Sequence, residues 1–124
     1  EVEYHRAPNA FYAQVAACFA DWGIPTADSL IYARRAAPTT PLIASGGLRD
    51  GVDIAKCMAL GADLAGLAGP FLKAAARSTE AVSELISLLS RQLQIAMLCA
   101  GVDSIRSLKK VPLVAVNPST LLES

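Results

Sequence analysis

The 124-residue chain is 53% hydrophobic and sets eleven basic residues against eleven acidic ones. That length suffices for one ordinary domain with a real core, and the apolar content excludes disorder as a global description. Scattered basic residues and few aromatics argue against a nucleic-acid binder, and no apolar run reaches the roughly 18 residues of a membrane span. Cys18, Cys57 and Cys99 are widely spaced, with no C-x-x-C pair. We expect reduced cytosolic thiols, each a small buried hydrophobe, rather than a disulfide framework or a zinc site. The charged opening Glu1-Val2-Glu3-Tyr4-His5-Arg6 is unlike a secretory signal and lacks an initiator Met, which points to a fragment or a processed product.

Asn9 to Trp22 is rich in alanine and aromatics, with Phe11, Val15, Cys18 and Phe19 at helical spacing, and predicts a first helix. Gly23-Ile24-Pro25 breaks it, and Trp22 is expected to pack where the next helix begins. Thr26 is placed as the N-cap of that second helix, with Asp28 in its first turn favoured by the helix dipole. It runs to about Ala36 and is closed by Pro38 and Pro41.

Leu42 to Ser45 reads as a strand of a parallel sheet, buried on both faces. A helix then starts near Asp50–Val52 and ends at Gly61, a residue suited to the left-handed conformation beyond a helix end. Ala62 to Ala68 predicts a second buried strand, within which Gly66 signals close approach to the backbone. Gly69-Pro70 turns into a short helix from Phe71 to Ala76. Ser78 or Thr79 caps a long helix to about Cys99, with Val82, Leu85, Ile86, Leu89, Leu93, Ala96 and Met97 along its apolar stripe. Gly101 ends it, and a small helix around Ser104–Lys109 follows.

Two successive βα units, each with a glycine-containing turn after its strand, have the pattern of the last units of a (β/α)8 barrel. There the loops after strands seven and eight, with a helix N-terminus, hold a phosphate. The expected fold class is α/β: the C-terminal part of a TIM barrel, about its last two to three βα units. Residues 1–124 then form one part of a single domain, incomplete as a barrel on their own. Two parallel strands leave edges open, so the missing strands come from a longer chain, another chain or a copy of this one. Gly46, Gly47, Leu48 and Arg49 form the first phosphate loop, and Leu67, Ala68 and Gly69 the second. Glycines let N–H groups converge on one anion without interference from Cβ. Arg49 either adds a charge-assisted hydrogen bond or is a solvated surface residue. The plain alternative is that all these glycines are tight turns without a ligand.

The chain resembles the C-terminal portion of type 2 isopentenyl diphosphate isomerase, an FMN-dependent barrel enzyme. The likeness runs through Asp21-Trp22-Gly23-Ile24-Pro25-Thr26, Leu42-Ile43-Ala44-Ser45-Gly46-Gly47-Leu48-Arg49 and Asp53-Ile54-Ala55-Lys56. It continues in Ala59-Leu60-Gly61-Ala62-Asp63 and Ala68-Gly69-Pro70-Phe71-Leu72-Lys73-Ala74. The resemblance implies that FMN phosphate rests on the loops at Gly46–Arg49 and Leu67–Gly69. It implies that reduced flavin assists a proton shift between isopentenyl and dimethylallyl diphosphate, and that Glu3 is a general acid/base beside the substrate. It also implies Mg2+, NADPH for flavin reduction, and a cytoplasmic homo-oligomer without nucleic-acid or membrane partners. The residues for metal, substrate diphosphate and flavin ring would lie outside this chain, which alone is expected to be inactive. His5 is expected to be a loop or surface residue. The runner-up is another FMN barrel, an α-hydroxy acid oxidase or an inosinate dehydrogenase-like enzyme, marked by a catalytic His or Cys beside the cofactor. A non-catalytic phosphate-binding half-barrel is the third reading.

Overall fold

The computed structural model describes residues 8–114. Two short apolar runs, β1 (Ile43–Ser45) and β2 (Leu64–Gly66), pair in parallel with Ile43 opposite Leu64, Ala44 opposite Ala65 and Ser45 opposite Gly66. Paired residues of parallel strands point to the same face. Ala44 is buried and Ala65 packs against the core, while Ile43 and Leu64 on the opposite face are 65% and 60% exposed. The expectation of burial on both faces is therefore corrected. Within the described residues helices cover one face only.

Before β1 come α1 (Ala10–Ala17) and α2 (Thr26–Ala36). The Asn9 side chain caps α1 by accepting the Tyr12 N–H at 3.2 Å. The helix stops at Ala17 rather than Trp22, because residues 18, 19, 20 and 22 tighten into turns that bond three residues back. No α1 side chain is buried, and Trp22 is 81% exposed, edge-to-face with Phe19 at 6.1 Å, so the expected packing of Trp22 is not found. Thr26 is not the cap of α2 but its first residue. Pro25 takes the cap position, and the Thr26 hydroxyl donates to the Gly46 carbonyl at 2.8 Å instead.

Helix α3 (Gly51–Ala59) joins the strands and ends as its sequence requires. Gly61 takes φ +104°, its N–H reaches the Met58 carbonyl, and the Ala62 N–H reaches that of Cys57. This paired closure uses up Ala62, and the next helix already begins at Ala68. The second strand is accordingly three residues long instead of seven. The helices that follow are α4 (Ala68–Ala75), α5 (Thr79–Cys99, capped by Ser78) and α6 (Ile105–Leu108, capped by Ser104). Gly101, at φ +69°, closes α5 in the same paired way. Along α5, Leu89 is buried while Ile86 is exposed, so the predicted stripe is narrower at that position. Of the cysteines only Cys57 is buried; Cys18, just past α1, and Cys99, at the end of α5, are exposed.

The main core gathers Leu30, Ala44, Leu48, Cys57, Ala62, Leu67 and Leu89 from both strands' surroundings, α2, α3 and α5. A second cluster joins Ala55 and Met58 of α3 to Leu108 of α6. Helices α3 and α5 are in tight contact at Gly51, where an added Cβ would lie 2.5 Å from the Gln92 Cβ, 2.6 Å from the Leu93 nitrogen and 2.7 Å from the Leu89 oxygen. Two of those neighbours are backbone and cannot turn aside.

One carboxylate ties the other end of the sheet together. Asp63, just before β2, accepts the Leu42 N–H at 2.9 Å, an Arg34 guanidinium N–H at 2.8 Å and the Lys109 ammonium. Arg34 also donates to the carbonyls of Gly61, Pro38 and Thr40 at 2.6, 2.9 and 2.9 Å. The bond from Lys109, followed by those from Leu42 and Arg34, holds the Asp63 carboxyl well below the usual carboxylate range.

Two outcomes follow from this packing. Gly51→Ala should destabilise by about 1–3 kcal/mol through overpacking against backbone, read by urea unfolding; an unchanged midpoint would contradict the close crossing. The Asp63 carboxyl is more acidic folded than unfolded, so its contribution is complete above an unfolded value of about 3.9 and drains away as pH falls below that. Asp63→Asn should therefore lower Tm at pH 7 and flatten the fall of Tm below about pH 4. Parallel acid profiles for both proteins would show that Asp63 does no such stabilising.

Candidate functional site

The parallel register places the ends of both strands at one level, since Ser45 is opposite Gly66. The chain therefore leaves β1 through Gly46-Gly47 and β2 through Leu67-Ala68 side by side, at the C-terminal edge of the sheet. Gly46 and Gly47 have φ of +109° and +75°, values that L side chains rarely adopt. A Cβ on Gly47 would meet nothing within 4 Å, and neither would one on Gly69, so both residues border open space. Gly66 makes no such demand within the chain, because an added Cβ would find only ordinary contact with Ser45 at 3.7 Å. Leu48 and Leu67, 7% and 6% exposed, bury their side chains in the same core cluster. They anchor the two loops in the core.

Two helix N-termini adjoin these loops, and they differ in what their N–H groups already do. At α3, the Asp50 Oδ1 accepts from Val52 at 3.0 Å and from Asp53 at 2.9 Å, while the Gly51 N–H donates to Gln92 Oε1 at 2.9 Å. The Arg49 N–H donates to Asp53 Oδ2 at 3.1 Å, and its Nε donates to the same oxygen at 3.1 Å. This end carries two carboxylates and is closed to an anion. At α4, Leu67 stands in the cap position and no side chain caps the helix. The first N–H groups of a helix have no partner within it, so those of Ala68 and Gly69 have no acceptor from their own helix. Pro70 sits in that same turn, where its missing N–H costs nothing and its fixed φ suits the helix. Gly69 thus belongs to the first turn of α4 rather than to a turn before it.

Arg49 is 79% exposed along its side chain, and its partner Asp53 is 17% exposed. The Arg49 hydrogen bond holds the Asp53 carboxyl below its ordinary value, and the ion pair holds the Arg49 guanidinium above its own. The backbone N–H and the Nε of Arg49 are therefore both engaged with Asp53. Burial pushes the Cys57 thiol up, which leaves it a core residue rather than a nucleophile. Among the described residues no three His, Cys, Asp or Glu side chains group to hold a metal. Glu3, with His5 and Arg6, lies outside the described residues. Sequence reasoning missed three contributors to the loop. Asp53 had a visible signal, its i, i+4 spacing from Arg49. Thr26 reads locally as a helix cap, and Gln92 reaches Gly51 from 41 residues away with no local signature.

The sequence pattern of the FMN-dependent dehydrogenase family matches residues 19–115. The chain belongs to the FMN-dependent dehydrogenase family. Its fold is accordingly that of a TIM-barrel family, seen here as α/β structure with a short parallel sheet. An isopentenyl-diphosphate delta-isomerase of Rickettsia bellii is 50% identical over 113 residues, covering 91% of this chain and 33% of that protein. The isopentenyl-diphosphate delta-isomerase of Nostoc sp. is 49% identical over 109 residues, covering 88% of this chain and 31% of that protein. The resemblance drawn from the sequence holds on these relatives, and the chain spans about a third of their length. A solved mandelate oxidase variant with an FMN monooxide adduct superposes with a TM-score of 0.68 at 29% identity, covering 73% of this chain and 29% of that one.

Proposed function

We propose that this chain is the C-terminal part of an FMN-dependent isomerase that interconverts isopentenyl and dimethylallyl diphosphate, and that it supplies the grip on the FMN phosphate. The observation that carries this reading is the contrast between the two helix ends. The start of α3 is filled by Asp50 and by Gln92 of α5, while the uncapped start of α4 and the glycine loop beside it border open space. An anion there would be met by N–H groups of Gly46, Gly47, Leu48, Ala68 and Gly69 and by the positive end of the α4 dipole. Arg49 contributes mainly through its backbone position, because its guanidinium is paired to Asp53.

Bound FMN, when reduced, supplies the chemistry that assists the proton shift in the substrate. This chain's own part is to fix the cofactor's tail, and so the depth at which its ring sits. Glu3 is proposed, from the resemblance, as the general acid/base that moves the proton; partial burial beside flavin and prenyl carbon would raise its pKa toward neutrality. Mg2+ and NADPH are proposed to act through residues outside this chain. The two open edges of the sheet and the exposed Ile43 and Leu64 support a barrel completed by further strands. No helix among the described residues is long and apolar enough to cross a membrane. We take the working enzyme to be a cytoplasmic homo-oligomer.

The mandelate oxidase superposition favours a second reading, an FMN barrel that oxidises an α-hydroxy acid. The 46–52% identity to isopentenyl-diphosphate delta-isomerases weighs against it. The full-length protein with reduced FMN should form dimethylallyl diphosphate from isopentenyl diphosphate and leave mandelate untouched; the reverse pattern would install the oxidase. The 124-residue chain alone should turn over neither. In the full-length protein, Gly47→Val should weaken FMN binding by about tenfold or more, since a β-branched side chain is strained at positive φ and fills the anion position. Arg49→Ala should weaken it by no more than about fivefold, the range of a solvated ion pair. Flavin fluorescence titration reads both, and wild-type affinity in Gly47→Val would remove the phosphate from this turn.

A further inference from the structure

Resting on the phosphate reading proposed above, we infer that Asp53 is a positioning residue for the flavin phosphate: its carboxylate acts through the Arg49 backbone to hold the glycine loop in its binding shape. One oxygen, Oδ2, takes both the Arg49 N–H and the Arg49 Nε, each at 3.1 Å. The carboxylate is the fixed member of this pair. Asp53 is 17% exposed against 79% for Arg49, and its own N–H is bound by Asp50 at 2.9 Å in the first turn of a helix packed on α5. Arg49 has come to Asp53, and the peptide before Arg49 is turned with it.

That bond is the second of two pins on one short loop. The first is the Thr26 hydroxyl on the Gly46 carbonyl at 2.8 Å. Between the pins lie Gly47 and Leu48, and the Leu48 side chain is buried in the core. A trans peptide is planar, so fixing the Arg49 N–H toward α3 also fixes the Leu48 carbonyl in the opposite direction. Carbonyl oxygens are thereby directed by the protein, and the N–H groups of Gly47 and Leu48 are the ones the pins do not claim. The same ion pair balances a carboxylate that would otherwise repel a phosphate close by. Asp53 touches no ligand in this scheme; it acts on the phosphate only through the loop.

The test measures FMN and riboflavin binding by flavin fluorescence in the full-length protein and its variants, with inorganic phosphate as competitor. Riboflavin has the ring without the phosphate and so isolates the loop's contribution. Asp53→Ala should cost FMN about tenfold in affinity while riboflavin affinity is unchanged, the scale of one lost hydrogen bond to a charged group. Asp53→Asn should recover to within about threefold of wild type, because its amide oxygen still accepts the Arg49 N–H. Arg49→Ala keeps that N–H and should stay within the roughly fivefold stated above; the double variant with Asp53→Ala should match Asp53→Ala alone. FMN binding to Asp53→Ala at or above wild-type strength would overturn the role, since it would show Arg49 swinging free to the phosphate. Equal losses for FMN and riboflavin would overturn it too, as a general loss of structure. A wild-type protein that binds no FMN would defeat the phosphate reading itself, a result distinguishable from either.

Discussion

Asp63 stands at the junction on which the geometry of this structure depends. It lies between the left-handed Gly61 that closes α3 and the first residue of β2, and it takes the N–H of Leu42 just before β1. A single side chain therefore sets how the two strands start, and in a parallel pair the start determines the register along its length. Arg34 brings α2 to the same point and Lys109 brings α6. Because the strands start level, they also finish level. That is why two loops separated by a whole helix come to lie side by side.

At the finishing end, the proposed function rests on which backbone donors the protein leaves unused. Helix N-termini are often offered as anion sites on their position alone, and here there are two. Counting acceptors separates them. Asp50, Asp53 and Gln92 satisfy the first turn of α3, whereas α4 opens with Leu67 and has no cap. An uncapped helix start leaves its first N–H groups to solvent or to a ligand. Placed beside two glycines at positive φ, with open space in front, it has the character of a site. The buried Leu48 and Leu67 give that backbone a rigid seat.

Much of this was legible from residues alone, because it is written in local signals. Asp50 before Gly51, Ser78 before Thr79, and Gly61 and Gly101 beyond their helices marked boundaries that the structure reproduces. The strand–glycine–helix repeat identified both loops. Illegible parts were set by partners distant in sequence. Thr26 looks like a helix cap until Gly46 is beside it, and Gly51 looks like an ordinary first helical residue until α5 crosses it at contact distance. Strand length was overestimated because apolarity does not reveal that Ala62 closes a helix and Ala68 opens another. The burial of both sheet faces follows from the rule that a parallel sheet leaves neither face in water, and the described residues supply only one covering layer.

The central claim is that the anion is held by the glycine loop and by the start of α4, and not by α3. Backbone amide shifts from 15N–1H correlation spectra, followed while FMN is added to the full-length protein, address it directly. The amides of Gly47, Leu48, Ala68 and Gly69 should move together with a single binding curve, while those of Val52 and Asp53 stay in place. Movement of Val52 and Asp53, with Ala68 and Gly69 unmoved, would contradict the account.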